Sequence, residues 1–181
     1  YGIASIHGPM TKHFSDEGDR DVSVRFTKSI LAGQPVRYEI PVNKYGSLNK
    51  IGKASGQLFG GNLSVFCGIL GSVFARIPNK GILFLEDISE VPYKVDRMIY
   101  QLKHAGVFDR ISGLIVGQFT GYEEDDQMFA SLYESIYNVV KEYDFPICFD
   151  FPVGHVKHNF PLIMGEIAQL TVTDYNILFN Q

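Results

Sequence analysis

The chain has 181 residues and a mass of 20.3 kDa; 45% of the residues are apolar and 20% are charged. That is enough for one hydrophobic core, or for one domain with an appendage. The formal net charge of −4 and the pI near 5.7 argue against nucleic acid as a partner, because phosphate binding needs a basic face. No apolar run approaches the roughly 20 residues of a membrane helix, so no membrane partner is expected. Both cysteines, Cys67 and Cys148, sit in apolar runs and read as buried thiols rather than a disulfide framework.

The chain opens "YGIASIHGPM" with no Met, and this reads as the inside of a longer protein, a short strand entering a turn at Gly8-Pro9. Residues 1–19 are otherwise expected to be irregular. Residues 20–33 suit a helix with Val22, Phe26, Ile30 and Leu31 as its stripe and Gly33 as its stop. A strand over 36–42 and a turn over 43–49 follow. Residues 53–72 read as strand, glycine turn and helix, with Asn62 as the N-cap after Gly60-Gly61.

The middle of the chain is more regular. "GILFLED" (81–87) is a continuous apolar strand ending in two acids. Residues 90–106 form a helix with Pro92 in its first turn and Val95, Met98, Ile99 and Leu102 on one face. "ISGLIVGQF" (111–119) is a second buried strand and 122–127 an acidic loop. Residues 128–143 form a helix carrying Phe129, Leu132, Ile136, Val139 and Val140, and 145–155 a third strand. This β-α-β-α-β order implies an α/β fold with a parallel sheet and right-handed crossovers. Residues 166–180 read as a terminal antiparallel hairpin around "TDY".

Ligands bind beyond the carboxyl ends of parallel strands. The topology brings Glu86-Asp87, Gly117-Gln118 and Gly154-His155 to that rim. A carboxylate on one imidazole nitrogen fixes the tautomer and leaves the other nitrogen as a base. Glu86 and Asp87 could equally be charges at a helix N-terminus. His158 reads as a loop residue, although His155, His158 and Glu86 could together hold zinc. Gly60-Gly61-Asn62 could cradle an anion, or be a tight turn with a cap. Asp96 and Arg97 fall on a solvated face, and His7 and His13 read as loop residues. No Gly-x-Ser-x-Gly elbow occurs, and serines 15, 55, 64, 72 and 89 lack any such turn. The residues thus offer a base and its orienter without a nucleophile.

"LFGGNLSVF" (58–66), "ILFLEDISEVPYKVDRMIYQLKHAGVF" (82–108) and "FPVGHVKHNFPLIMGEIAQL" (151–170), with "HGPM" (7–10), together resemble the LD-carboxypeptidase family of serine peptidases. The resemblance covers nearly the whole chain, in the family's order. It implies a C-terminal domain (20–181) of three-layer β/β/α, swivelling type, preceded by a lead-in (1–19) from a missing N-terminal nucleophile domain. It implies a Ser–His–Glu triad in which Glu86 and His155 match the glutamate and histidine, with Gly60, Gly61 and Asn62 on the substrate side. The serine would lie upstream of "HGP". The implied reaction releases terminal D-alanine from a murein tetrapeptide in cell-wall recycling, without metal or cofactor, by a cytoplasmic homodimer. A related branch of the family acts on peptidyl-adenylate antibiotics. Ile163 stands where the family usually has proline, which bears on substrate preference. The isolated domain is expected to fold but to be inactive.

Overall fold

The computed structural model describes residues 3–181. Nine strands and five helices follow in order: β1 (Ser5–His7), α1 (Thr11–Asp16), α2 (Val22–Leu31), β2 (Arg37–Pro41), β3 (Gly52–Asn62), α3 (Leu63–Ile69), β4 (Gly81–Ile88), α4 (Pro92–His104), β5 (Ile111–Thr120), α5 (Leu132–Val140), β6 (Ile147–Cys148), β7 (Leu162–Met164), β8 (Ile167–Val172) and β9 (Asn176–Asn180). One mixed sheet of seven strands runs β2-β9-β8-β3-β4-β5-β6, and β1 pairs with β7 in a separate antiparallel ribbon.

β3 joins the two halves of the large sheet. Its residues 52–57 lie antiparallel to β8, and its residues 58–62 lie parallel to β4. At the changeover stands Gly56, where a Cβ would fall 2.0 Å from the Lys80 carbonyl oxygen, so only glycine lets the backbones approach there. β4 shows how the layers are sorted. Successive side chains of a strand point to opposite faces. Leu83 and Leu85 join Val95, Ile99 and Leu102 of α4 and Ile136 of α5 in one core, whereas Ile82 and Phe84 join Leu170, Ile177 and Phe179 of the antiparallel half in a second. Helices therefore cover one face of the parallel strands, and the antiparallel half curls over the other. The α/β, layered expectation holds, as does the parallel order β3-β4-β5-β6.

Several local expectations are corrected. The lead-in is ordered: β1 pairs with β7, and α1 follows. β7 has too few residues for a period to show in the sequence. α2 buries Ser23, Val24 and Thr27, while Leu31, expected on the stripe, is 70% exposed. Gly60 and Gly61 are not a turn; they lie within β3 at φ 112° and 129°, and α3 begins directly after Asn62. α5 starts only at Leu132 because Ser131 and Glu134 form a capping box, leaving Phe129 fully exposed ahead of it. The third parallel strand shrinks to two residues. Asp150, at φ 57°, turns the chain away, and pairing resumes only at the bridge between Gln118 and Gly154. The buried-thiol reading holds: both cysteines are buried, and burial pushes the Cys67 thiol up to about 11.

Candidate active site

The ends of β4 and β5 and the loop after β6 converge on one rim. Glu86 and His155, 69 residues apart in the chain, meet there with His155 Nδ1 2.8 Å from Glu86 Oε2. The Glu86 carboxyl is buried at 1% exposure, while the His155 side chain keeps 47% of its surface open. Burial pushes the Glu86 carboxyl above its ordinary range, and the His155 hydrogen bond works against that shift. With the carboxylate ionised, Nδ1 carries the proton and Nε2 is the basic ring nitrogen, facing the open side.

Two neighbours hold this geometry. Gly154 sits at φ 134°, and a Cβ there would lie 2.8 Å from the Gln118 carbonyl oxygen and 3.1 Å from Glu86 Oε2. A side chain at 154 would therefore push into the pair. Buried Asn159 accepts a hydrogen bond from Gly154 N–H at 3.0 Å, which fixes the loop behind the histidine. Asn159 escaped sequence reasoning; its signal was the turn-forming "HN" just before Pro161, which marks a loop without showing that the amide faces inward.

Asp87, next to Glu86, does different work. Its carboxylate accepts hydrogen bonds from Asn62 Nδ2 at 2.7 Å, Ile88 N–H at 2.8 Å and Ser64 N–H at 2.9 Å. Asn62 in turn caps α3, accepting from Val65 N–H at 3.1 Å. The helix-N-terminus reading thus fits Asp87, and the orienting reading fits Glu86. Asn62 pairs in register with Glu86, but Gly60, Gly61 and Asn62 are not among the residues that line the cavity at His155.

That cavity has a volume of about 400 Å³, and its walls include His7, Met10, Lys12, His13, Gly154 and His155. His7, read as a loop residue, is the last residue of β1. Its ring meets Phe84 edge-on at 5.0 Å, and burial, then the charge of His155, hold its pKa below the usual value. The "HGP" turn was legible, but not the pairing of β1 with β7 that turns His7 towards the rim. Serines 15, 55, 64, 72 and 89 do not line this cavity. His158 lines a different cleft, with Val22, Glu39 and Phe160. A metal site made of His155, His158 and Glu86 is therefore not assembled. Among the described residues, the side chains close enough to share an ion are His13, Glu17 and Asp21.

Comparison with known proteins agrees with this arrangement. The murein tetrapeptide carboxypeptidase of Pseudomonas aeruginosa is 26% identical over 185 residues, covering 94% of this chain and 53% of that protein. The microcin C7 self-immunity protein of Escherichia coli is 27% identical over 158 residues, covering 87% of this chain and 44% of that protein. The crystal structure of muramoyltetrapeptide carboxypeptidase from Oxalobacter formigenes superposes with a TM-score of 0.87 at 25% identity, over 99% of this chain and 61% of that one. The chain spans about half the length of the curated relatives it matches. Residues 55–170 match the family described as LD-carboxypeptidase C-terminal domain, and this chain belongs to that family.

Proposed function

We propose that this chain is the C-terminal domain of a serine LD-carboxypeptidase that releases terminal D-alanine from murein tetrapeptide in cell-wall recycling. It contributes the histidine and glutamate of a Ser–His–Glu triad. The observation that carries this reading is the 2.8 Å contact between buried Glu86 and half-exposed His155 at the mouth of a cavity. Residues 1–19 are the lead-in from an upstream domain that holds the serine and the oxyanion donors. The enzyme works as a homodimer.

The chemistry follows from the pair. The serine Oγ attacks the carbonyl carbon of the bond before the terminal D-alanine, and its proton moves to His155 Nε2. Glu86 holds the ring by Nδ1–H and stabilises the imidazolium. As the C–N bond breaks, Nε2 returns the proton to the leaving amine. Water then repeats the cycle on the acyl-enzyme and frees the peptide. The peptide runs along Gly60, Gly61 and Asn62. These residues stand beside Glu86 in the strand register, and no atom lies within 4 Å of where a Gly61 Cβ would be. No step needs a metal or cofactor.

The test is D-alanine release from murein tetrapeptide. A protein extended upstream through the serine is expected to release it, and its His155→Ala variant and the 181-residue chain alone are not. Release by the 181-residue chain alone would overturn the division of the triad between two segments. Silence from the extended wild type would overturn the substrate.

A further inference from the structure

The segment that walls one side of the cavity carries a second cluster, separate from the Glu86–His155 pair. His13 lies in α1, Glu17 caps the C-terminus of α1, and Asp21 caps the N-terminus of α2. The spacing of four residues puts His13 and Glu17 on one helical face, and the single 3-10 turn at Gly18–Arg20 brings Asp21 back to them. One ligand atom from each side chain lies within 4.8 Å of the other two.

Asp21 supplies an independent observation. It is 2% exposed; its Oδ1 accepts from Ser23 N–H at 2.7 Å, and its Oδ2 is buried with no hydrogen-bond partner. Ser23 Oγ, two residues on, is also buried and unpartnered. Burying a carboxylate oxygen with nothing to compensate it is unfavourable unless a cation arrives. The nearby lysines are engaged elsewhere. Lys28 Nζ pairs with Asp19 at 2.6 Å, and Lys157 Nζ approaches Glu17 Oε2 at 3.9 Å from an exposed position.

We propose that His13, Glu17 and Asp21 bind one divalent transition-metal ion of the zinc type, which ties the end of α1 to the start of α2. One imidazole with two carboxylates suits zinc, whereas magnesium and calcium prefer all-oxygen sets. Three protein ligands leave a fourth position for water. Ligands of a tetrahedral zinc sit roughly 3.3 Å apart, so closure asks for a shift on the order of 1 Å, which the half-exposed His13 and Glu17 can make. The ion is structural. It fixes the stretch from which Met10, Lys12 and His13 face the cavity, and it takes no part in peptide hydrolysis.

The test is calorimetric titration of metal-free protein with zinc chloride, with magnesium chloride as the comparison ion. Wild type is expected to bind one equivalent of zinc and to ignore magnesium. His13→Ala and Asp21→Asn are expected to weaken zinc at least roughly tenfold, whereas His155→Ala binds as wild type. Asn at position 21 keeps the helix cap, so a folded Asp21→Asn protein isolates the loss of the carboxylate. A parallel melt is expected to show zinc raising the Tm of wild type but not of Asp21→Asn. Lack of zinc binding by wild type, binding unchanged in both cluster variants, or binding lost in His155→Ala would each overturn the site.

Discussion

The end of β4 and the start of α2 each bury a carboxylate almost completely, and they treat it differently. At β4, Glu86 is 1% exposed and meets one imidazole, while the adjacent Asp87 is 2% exposed and takes three donors from its own domain. At α2, Asp21 is 2% exposed, and one of its oxygens has one backbone donor while the other has none. Burial alone therefore says little about function. The number and kind of partners sort these acids: saturated by backbone and amide for architecture, a single ionisable partner for proton transfer, an open oxygen for an ion.

Substitutions can break or sharpen that contrast. The largest effect is expected for His155→Ala in the protein carrying the upstream serine, where kcat/KM should fall about 10⁴-fold or more in the D-alanine assay. Its Tm should barely move, because the ring is half exposed. Asp87→Ala is expected to do the reverse in kind. It removes three hydrogen bonds and leaves Ser64 N–H and Ile88 N–H without that acceptor, costing about 3 kcal/mol in denaturant unfolding. Gly154→Ala should cost about 1–3 kcal/mol, from its φ of 134° and the contact with the Gln118 carbonyl. It should also lower kcat, since the new Cβ would press on Glu86. The smallest effect is expected for Asp21→Asn in metal-free protein, within about 0.5 kcal/mol of wild type, because asparagine caps a helix as well as aspartate does.

The reading from sequence succeeded where a period or a topological rule applied. "GILFLED" is long, apolar on both faces and central, and the rule that parallel sheets bind ligands at strand ends put Glu86 and His155 on one rim. It failed where contacts decide. "GGN" looks like a turn to any propensity argument, yet the positive φ values of Gly60 and Gly61 are used inside a strand beside β4. Phe129 fits a helical stripe, but the Ser131–Glu134 capping box starts α5 after it. β1 and β7 are three residues each and stabilise one another across most of the chain, so neither announces itself. The inward turn of Asn159 and the closure of His13, Glu17 and Asp21 depend on loop paths that no local pattern encodes.

The role of Glu86 is the point to test first, by measuring kcat and Tm together for Glu86→Gln in the protein that carries the serine. Burial raises the Glu86 carboxyl, so the folded state holds its proton more tightly than the unfolded chain does. The stability this group contributes is greatest below the ordinary value of 4.5 and is lost as pH rises through the raised one. Glutamine is therefore expected to melt no lower than wild type at neutral pH, while kcat falls about 10³- to 10⁴-fold because the tautomer and the imidazolium lose their support. A kcat within about threefold of wild type would contradict the orienting role and return Glu86 to architecture alongside Asp87.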